Sequence, residues 1–152
     1  MKIRPTKTEN LTALKSVLDC TELFPSEMLP DMVSGFLSCE GSEDVWLTCE
    51  MDGQAIGFCY AAPEELIDGT WNMLAIAVLP SMQGRGVGGT VVEKLEALLK
   101  ERGHRVLIAD TSGTDGFEKT RNFYRKRDYS EEARIRDFWA SGDDEVVFWK
   151  AL

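Results

Sequence analysis

Between Gln83 and Gly89 the chain reads Gln83-Gly84-Arg85-Gly86-Val87-Gly88-Gly89, with four glycines inside six residues. Glycines crowd where a backbone must approach a partner closely or take conformations closed to other residues. An apolar run, Trp71 to Leu79, precedes the segment, and a helical stripe of Val87, Val91, Leu95 and Leu98 follows it. The glycines therefore lie between a strand and the start of a helix. The first amides of a helix have no intrahelical acceptor and carry the positive end of its dipole, so this segment is expected to cradle an anion of the phosphate type. Arg85 adds a full positive charge, and a plain capping turn does not need so many glycines.

Three phosphate-binding patterns compete for these residues. A P-loop requires G-x-x-x-x-G-K-[ST], and Gly84 to Thr90 supplies everything but the lysine that counters the terminal phosphates. A dinucleotide fingerprint fits Gly84, Gly86 and Gly89 as G-x-G-x-x-G, with Asp110 about twenty residues on. It requires an awkward spacer after the strand, and too little chain follows for a second mononucleotide-binding half. A dinucleotide-binding oxidoreductase stays open as the alternative, beside a non-catalytic acyl-coenzyme-A-binding regulator. The third pattern is Q-x-x-G-x-G, formed by Gln83, Gly86 and Gly88 after a strand ending Ala77-Val78-Leu79-Pro80.

On that third pattern the sequence resembles the GNAT superfamily of N-acetyltransferases, whose signature [RQ]-x-x-G-x-[GA] stands between such a strand and helix. A second match is Arg121-Asn122-Phe123-Tyr124-Arg125-Lys126-Arg127-Asp128-Tyr129, similar to the family's F-Y-x-x-x-G-[FY]. The likeness covers nearly the whole chain, least specifically residues 1–44. It implies an acetyl-coenzyme-A-dependent transfer of an acetyl group to a primary amine by direct attack in a ternary complex, with no metal. It also implies that the amides of Arg85, Gly86, Val87, Gly88 and Gly89, with Gln83 and Gly84, hold the pyrophosphate, and that Asn122 and Arg125 meet the cofactor. Backbone amides at Ala77 and Val78 would polarise the thioester carbonyl. Two positions depart from the pattern. Asp128 stands where the family usually has glycine, in a turn conformation that Asp tolerates better than most residues. Asn72 stands near the family's usual glutamate, and an amide cannot take a proton.

Acetyl transfer to an amine needs a neutral nucleophile, a stabilised oxyanion and a proton for the departing thiolate. Tyr124 is the candidate acid, since a phenol with a pKa near ~10 stays protonated at neutral pH and can protonate a thiolate whose thiol has a pKa of about 8.5. The plain alternative is that Phe123 and Tyr124 are core aromatics of an amphipathic helix. Glu65, Glu64 and Asp68, on the loop before the fourth strand, rank above Asp110 as a base acting through water. Phe24, Asn72, Phe138 and Trp139 are expected to wall the acceptor pocket.

Composition narrows the alternatives. Of the 152 residues, 26 are acidic and 17 basic, for a net charge of -9. That balance argues against a general nucleic-acid binder and against adhesion to anionic membranes. The cluster Arg125, Lys126 and Arg127 is too small to reverse it. His104 is the only histidine, which excludes multi-histidine metal sites and disfavours histidine triads. Cys20, Cys39, Cys49 and Cys59 show no C-x-x-C spacing, no secretory leader precedes them, and they read as small core residues in a reducing cytoplasm. The expected partner is a small-molecule amine or a lysine-containing peptide, drawn in by the acidic field. A homodimer is left open.

The elements that must position these residues follow from periodicity. A short opening strand leads to a helix carrying Leu11, Leu14, Val17 and Leu18, with Thr6 to Glu9 at capping-box spacing. A second helix carries Met28, Met32, Val33, Phe36 and Leu37 and ends near Gly41-Ser42. Strands are expected at Val45 to Met51 and Ala55 to Ala61 around an Asp52-Gly53 hairpin, then at Trp71 to Leu79. A long helix covers Gly86 to Arg102, and a buried strand covers Val106 to Ala109. A helix from about Asp115 to Lys126, with Asp115 and Glu118 as a cap pair, precedes strands near Ser130 to Arg136 and Glu145 to Lys150. Residues 1–152 thus read as one α/β (α+β) domain. Its sheet is mixed and mostly antiparallel, of about seven strands, with helices on both faces.

Overall fold

The computed structural model describes residues 1–152. In chain order the elements are β1 (Lys2–Pro5), α1 (Leu11–Thr21), α2 (Leu29–Ser38), β2 (Val45–Met51), β3 (Gln54–Pro63), β4 (Thr70–Val78), α3 (Val87–Glu101), β5 (Val106–Ser112), α4 (Glu118–Arg125), β6 (Ser130–Ala140) and β7 (Asp143–Ala151). The seven strands form one sheet in the order β1-β2-β3-β4-β5-β7-β6. Every neighbouring pair is antiparallel except β4 and β5, whose parallel pairing requires the crossover that α3 supplies. A sheet with one parallel pair is not the doubly wound sheet on which a dinucleotide fingerprint works.

Two apolar cores lie on opposite faces of the sheet. One packs Leu14, Val17 and Leu18 of α1 and Leu29 and Val33 of α2 against Trp46, Phe58, Ala75 and Ala77. The other packs Val87, Val91, Leu95 and Leu99 of α3 and Tyr124 of α4 against residues including Trp71, Leu107 and Phe148. The first core takes residues from β2, β3 and β4 only. On that face β5, β7 and β6 add nothing to it.

Several local expectations change. Thr6 does not cap α1: its hydroxyl shares a buried 2.8 Å hydrogen bond with Thr48, and Glu9 pairs with Arg4. Asn10, the residue before α1, makes no cap bond to the helix either; its Oδ1 accepts the Lys7 N–H at 2.9 Å and closes the turn ahead of it. Glu118 likewise caps nothing and is held by Arg121 and Arg125. The hairpin strands β6 and β7 reach further than periodicity suggests, because the sheet ladder carries exposed polar residues that have no apolar rhythm. Cys49 and Cys59 are buried, but Cys20 and Cys39 are exposed at the ends of α1 and α2; all four are free thiols. No helix is long and apolar enough to cross a membrane.

The first strand is fastened by charge as well as by its ladder. Arg4 donates to both carboxylate oxygens of Glu50, at 3.1 and 2.5 Å, and Asn10 donates a third bond at 3.1 Å. Those bonds, the guanidinium first, hold the Glu50 carboxyl below its usual pKa. A lowered carboxyl pKa contributes stability that is present above the unfolded-state value and lost as pH falls through the folded-state value. Glu50→Gln is therefore expected to lower Tm at pH 7 and to shrink that deficit below about pH 4. Thermal melts across pH test this, and a deficit independent of pH would refute it.

Candidate active site

The sheet parts next to Asn72. β4 has nine residues, yet it pairs with β5 only at Thr70, Trp71 and Asn72, opposite Val106, Leu107 and Ile108. Beyond Asn72 the two strands diverge, and β4 turns an unpaired edge toward the gap. Its register on β3 also slips there: Ala61 faces Met73 and Tyr60 faces Ala75, so Leu74 is a bulged, half-exposed residue. A bulge re-aims the strand and ends its pairing. Ala77 and Val78 lie on this diverging stretch.

The glycine segment follows immediately. Gly84 and Gly86 have φ of +75° and +82°, a region that side chains rarely adopt, and the space where their Cβ atoms would stand is open. Gly86 is the N-cap of α3 and offers no side chain to the helix amides. From Gly84 to Gly89 no backbone N–H finds an acceptor in the protein; the helix ladder begins with Thr90 donating to Gly86 at 3.0 Å. Six donors thus have no acceptor in the protein at the positive end of α3. Gln83 secures the approach by donating from Nε2 to the Val78 carbonyl at 3.0 Å.

Gly88 and Gly89 have a different physical reason from the one their sequence suggests. A Cβ at Gly88 would stand 3.3 Å from the Phe123 ring, and one at Gly89 would overlap the Arg127 guanidinium at 1.5 Å. These two glycines let α4 close on α3. Only Gly84 and Gly86 are glycine for the sake of an open, left-handed turn. Arg127 lies over Phe123, 4.3 Å from the ring centroid, forms no ion pair, and encloses an Nε with no partner. An unpaired cation beside six free donors suits a bound polyanion.

Tyr124 is 3 % exposed and packs against Phe123, Tyr129 and Phe148, with ring centroids 5.3, 5.5 and 5.1 Å away. Its hydroxyl makes no hydrogen bond within the protein. Burial first, and the charge of Asp110 next, push its pKa well above that of an ordinary phenol. The turn after α4 closes with Asp128 at φ +63°, the left-handed conformation expected of a residue in the glycine place.

The acidic residues sort themselves by distance. Asn72 donates from Nδ2 to Glu64 at 3.1 Å and to Asp110 at 2.9 Å, so both carboxylates stand where the sheet parts. Glu65 is exposed and unpartnered, and Asp68 lies on the outer loop, where its carbonyl accepts from Arg105. Arg125 pairs with Glu118 at 3.2 Å and Glu131 at 2.6 Å and donates to Asn122 at 2.8 Å, which engages its charge within the protein. Phe24 sits edge-on to Phe58 as part of the α1/α2 packing. Phe138 and Trp139, half exposed and edge to face at 4.8 Å, stand across the sheet on β6, where Trp139 Nε1 donates to the Thr111 carbonyl at 3.4 Å. Asp110, ranked behind Glu65, Glu64 and Asp68 in the sequence, shares the Asn72 carboxamide with Glu64, and Glu145 and Arg121, which the sequence did not single out, are buried nearby; a strand-pairing argument that set β5 beside both β4 and β7 would have brought Asp110 and Glu145 together.

The model of the acetyltransferase (GNAT) family matches residues 12–129, well over half of the chain. No curated protein matches in sequence. Among solved structures, a protein from Desulfovibrio desulfuricans described as a GNAT-family acetyltransferase superposes with a TM-score of 0.90 at 23 % identity, covering 99 % of this chain and 98 % of that one. An aminoglycoside 6'-N-acetyltransferase complexed with coenzyme A gives 0.81 at 19 % identity over 99 % and 97 %. A ribosomal-protein-alanine N-acetyltransferase from Brucella melitensis gives 0.81 at 18 % identity over the whole of both chains. At these identities the likeness is one of fold.

Proposed function

From the premise that this chain belongs to the GNAT family of acetyltransferases, we propose that residues 1–152 form a single catalytic domain. It transfers an acetyl group from acetyl-coenzyme A to a primary amine by direct attack in a ternary complex. The observation that carries this is the run of free N–H groups from Gly84 to Gly89 beside the unpaired edge of β4. The first suits a pyrophosphate. The second suits a pantetheine arm, an extended chain of amides that can complete the ladder where β5 has turned away. Acetyl-coenzyme A supplies the activated thioester. Arg127, with its unpaired guanidinium, supplies counter-charge at the nucleotide end.

The chain's own groups then divide the chemistry. The Val78 amide, which the register turns toward the open β4 edge while that of Ala77 faces β3, stabilises the oxyanion. Tyr124, neutral at every physiological pH because burial opposes its ionisation, donates a proton to the departing thiolate. Glu64 and Asp110, held by the single carboxamide of Asn72, accept the amine's proton through water. The amide at position 72 thus orients two bases in place of serving as one, and Glu65 is left without a partner to position it. The free thiols fit work in a reducing cytoplasm.

The test is thermal. At one hundred times its Kd a ligand adds about 2.7 kcal/mol to native stability, which in a domain of this size raises Tm by roughly 5–10 °C. Acetyl-coenzyme A is expected to produce that shift, and NADH and ATP are not. Gly86→Leu is expected to abolish it while costing the free protein about 1–2 kcal/mol for a side chain at positive φ. Stabilisation by NADH alone would return the dinucleotide reading, and binding with no thiol released by any amine would mark a regulator.

A further inference from the structure

Most of the 26 acidic side chains have no cation, and three of these are partly or fully withdrawn from solvent on the elements around Asn72. Glu64, Asp110 and Glu145 enter no ion pair, although arginine and lysine hold Glu9, Glu50, Glu96, Glu118, Glu131 and Asp144. Glu145 is 6 % exposed, and its side chain makes no hydrogen bond. Asn72 is 7 % exposed, and while its Nδ2 is shared between Glu64 and Asp110, its Oδ1 is enclosed without a donor. Buried polar groups left this way are normally satisfied by something. The enclosed Asn72 Oδ1 points to a missing donor, and the Glu145 carboxylate stands beside it with no cation.

The strand register places the groups on one face. Asp110 faces Val147 and Ser112 faces Glu145 across β5 and β7, so Asp110 and Glu145 are diagonal neighbours on the same side of the sheet. Asn72 bonds to Asp110 from that side. No helix covers this part of the sheet, since the α1/α2 core takes nothing from β5, β6 or β7. Burial first, then the charge of Asp110, raise the pKa of Glu145, as two carboxyls close together in the absence of a cation require. The side chains do not gather into a three-ligand metal cage. The half-exposed Trp139, hydrogen-bonded to Thr111 next to Asp110, adds an aromatic surface of the kind that attracts organic cations.

We propose that the acceptor is an aliphatic diamine or polyamine, with its reacting nitrogen at Asp110 and the Asn72 Oδ1 and its second, protonated nitrogen at Glu145. This rests on the acetyl-transfer reading and adds the substrate class to it. Diagonal neighbours on adjacent strands stand about 7–8 Å apart, a span that about four carbons between two nitrogens can bridge. In the reaction the near nitrogen, freed of its extra proton, forms a bond to the acetyl carbon as the carbon–sulfur bond breaks. The extra proton has gone to water before attack, one proton then leaves the nitrogen for Asp110 or Glu64 as Tyr124 protonates the sulfur, that carboxyl's proton is lost to water and Tyr124 regains one from it, and the far nitrogen keeps its charge throughout.

The test compares 1,4-diaminobutane with 1-aminobutane as acceptors, with acetyl-coenzyme A saturating. Two equivalent nitrogens alone give a twofold advantage. One hydrogen bond to a charged group adds roughly tenfold, so kcat/KM is expected to favour the diamine by at least about tenfold. That ratio is expected to fall toward two in E145Q and at high salt. A ratio near two in the wild-type enzyme, a high ratio that survives E145Q in a variant of unchanged Tm, or a lysine-containing peptide preferred over both amines would each overturn the assignment. Turnover of neither amine by protein that still binds acetyl-coenzyme A would overturn the diamine assignment alone. Failure to bind acetyl-coenzyme A would overturn the transfer reading beneath it.

Discussion

Tyr124→Phe is expected to lower kcat by about 100-fold or more while leaving acetyl-coenzyme A affinity nearly unchanged. The substitution keeps the ring and with it the contacts to Phe123, Tyr129 and Phe148, and removes only a hydroxyl that has no partner in the protein. A structural hydroxyl at 3 % exposure would be expected to have a bond to lose. Since this one has none, Tm should hold within about 0.5 kcal/mol of stability while the reaction suffers. Steady-state kinetics beside a melt distinguish the two roles. An unchanged kcat, with single-turnover rates also unchanged so that product release is not masking chemistry, would make Tyr124 a packing residue. The raised pKa also predicts that no acidic or basic limb in the rate profile below pH 10 belongs to this phenol.

Arg121→Met is expected to cost about 3 kcal/mol of stability, roughly 6–12 °C in Tm for a chain of this length. Arg121 is 7 % exposed, and one of its nitrogens donates at 2.7 Å to both the Ser112 and Thr114 carbonyls, while the other reaches Glu118 at 2.6 Å. Methionine fills similar space and supplies no donor, which takes the guanidinium from the Ser112 carbonyl at the end of β5 and leaves the Thr114 carbonyl with only the Phe117 N–H. Those bonds tie β5 to α4, the helix that carries Tyr124, so kcat should fall with stability. Arg125→Met, whose ion pairs are exposed, is the control and should move stability by less than about 1 kcal/mol. Denaturant titration measures both; a change below 1 kcal/mol for Arg121→Met would show that water replaces the donor without penalty.

The parts of the fold with a period were visible in the residues. The stripe Val87, Val91, Leu95 gives α3, and all three side chains are buried as that stripe requires. The Asp52-Gly53 turn, with both residues at positive φ, gives the β2–β3 hairpin. What the residues could not disclose was set by neighbours remote in the chain. Thr6 spends its hydroxyl on Thr48, 42 positions away, and so the expected cap of α1 does not form. Gly89 looks like part of a ligand cradle until Arg127 is set against it. Asp110 looks like one acid among 26 until β4 and β5 bring it 2.9 Å from Asn72, a residue 38 positions earlier. Local propensity speaks for elements; the site is made where three strands meet, and that meeting has no local signature.

The two halves of the cleft stand under unequal constraint. At Gly89 an added Cβ overlaps the Arg127 guanidinium and at Gly88 it crowds Phe123, so the contact between α3 and α4 beside the loop tolerates little added volume. Across the gap, every residue of β6 is exposed, Phe138 and Trp139 among them. Exposed substitutions away from bonded groups typically shift stability by about 0.5 kcal/mol or less, so the unbonded positions of β6 can be exchanged one at a time without losing the folded state. The exposed aromatic pair on β6 is therefore the part of the acceptor side open to exchange, whereas the buried Asn72 and Glu145 are not. Saturation libraries aimed at new amines belong on β6, where nearly every member will still fold.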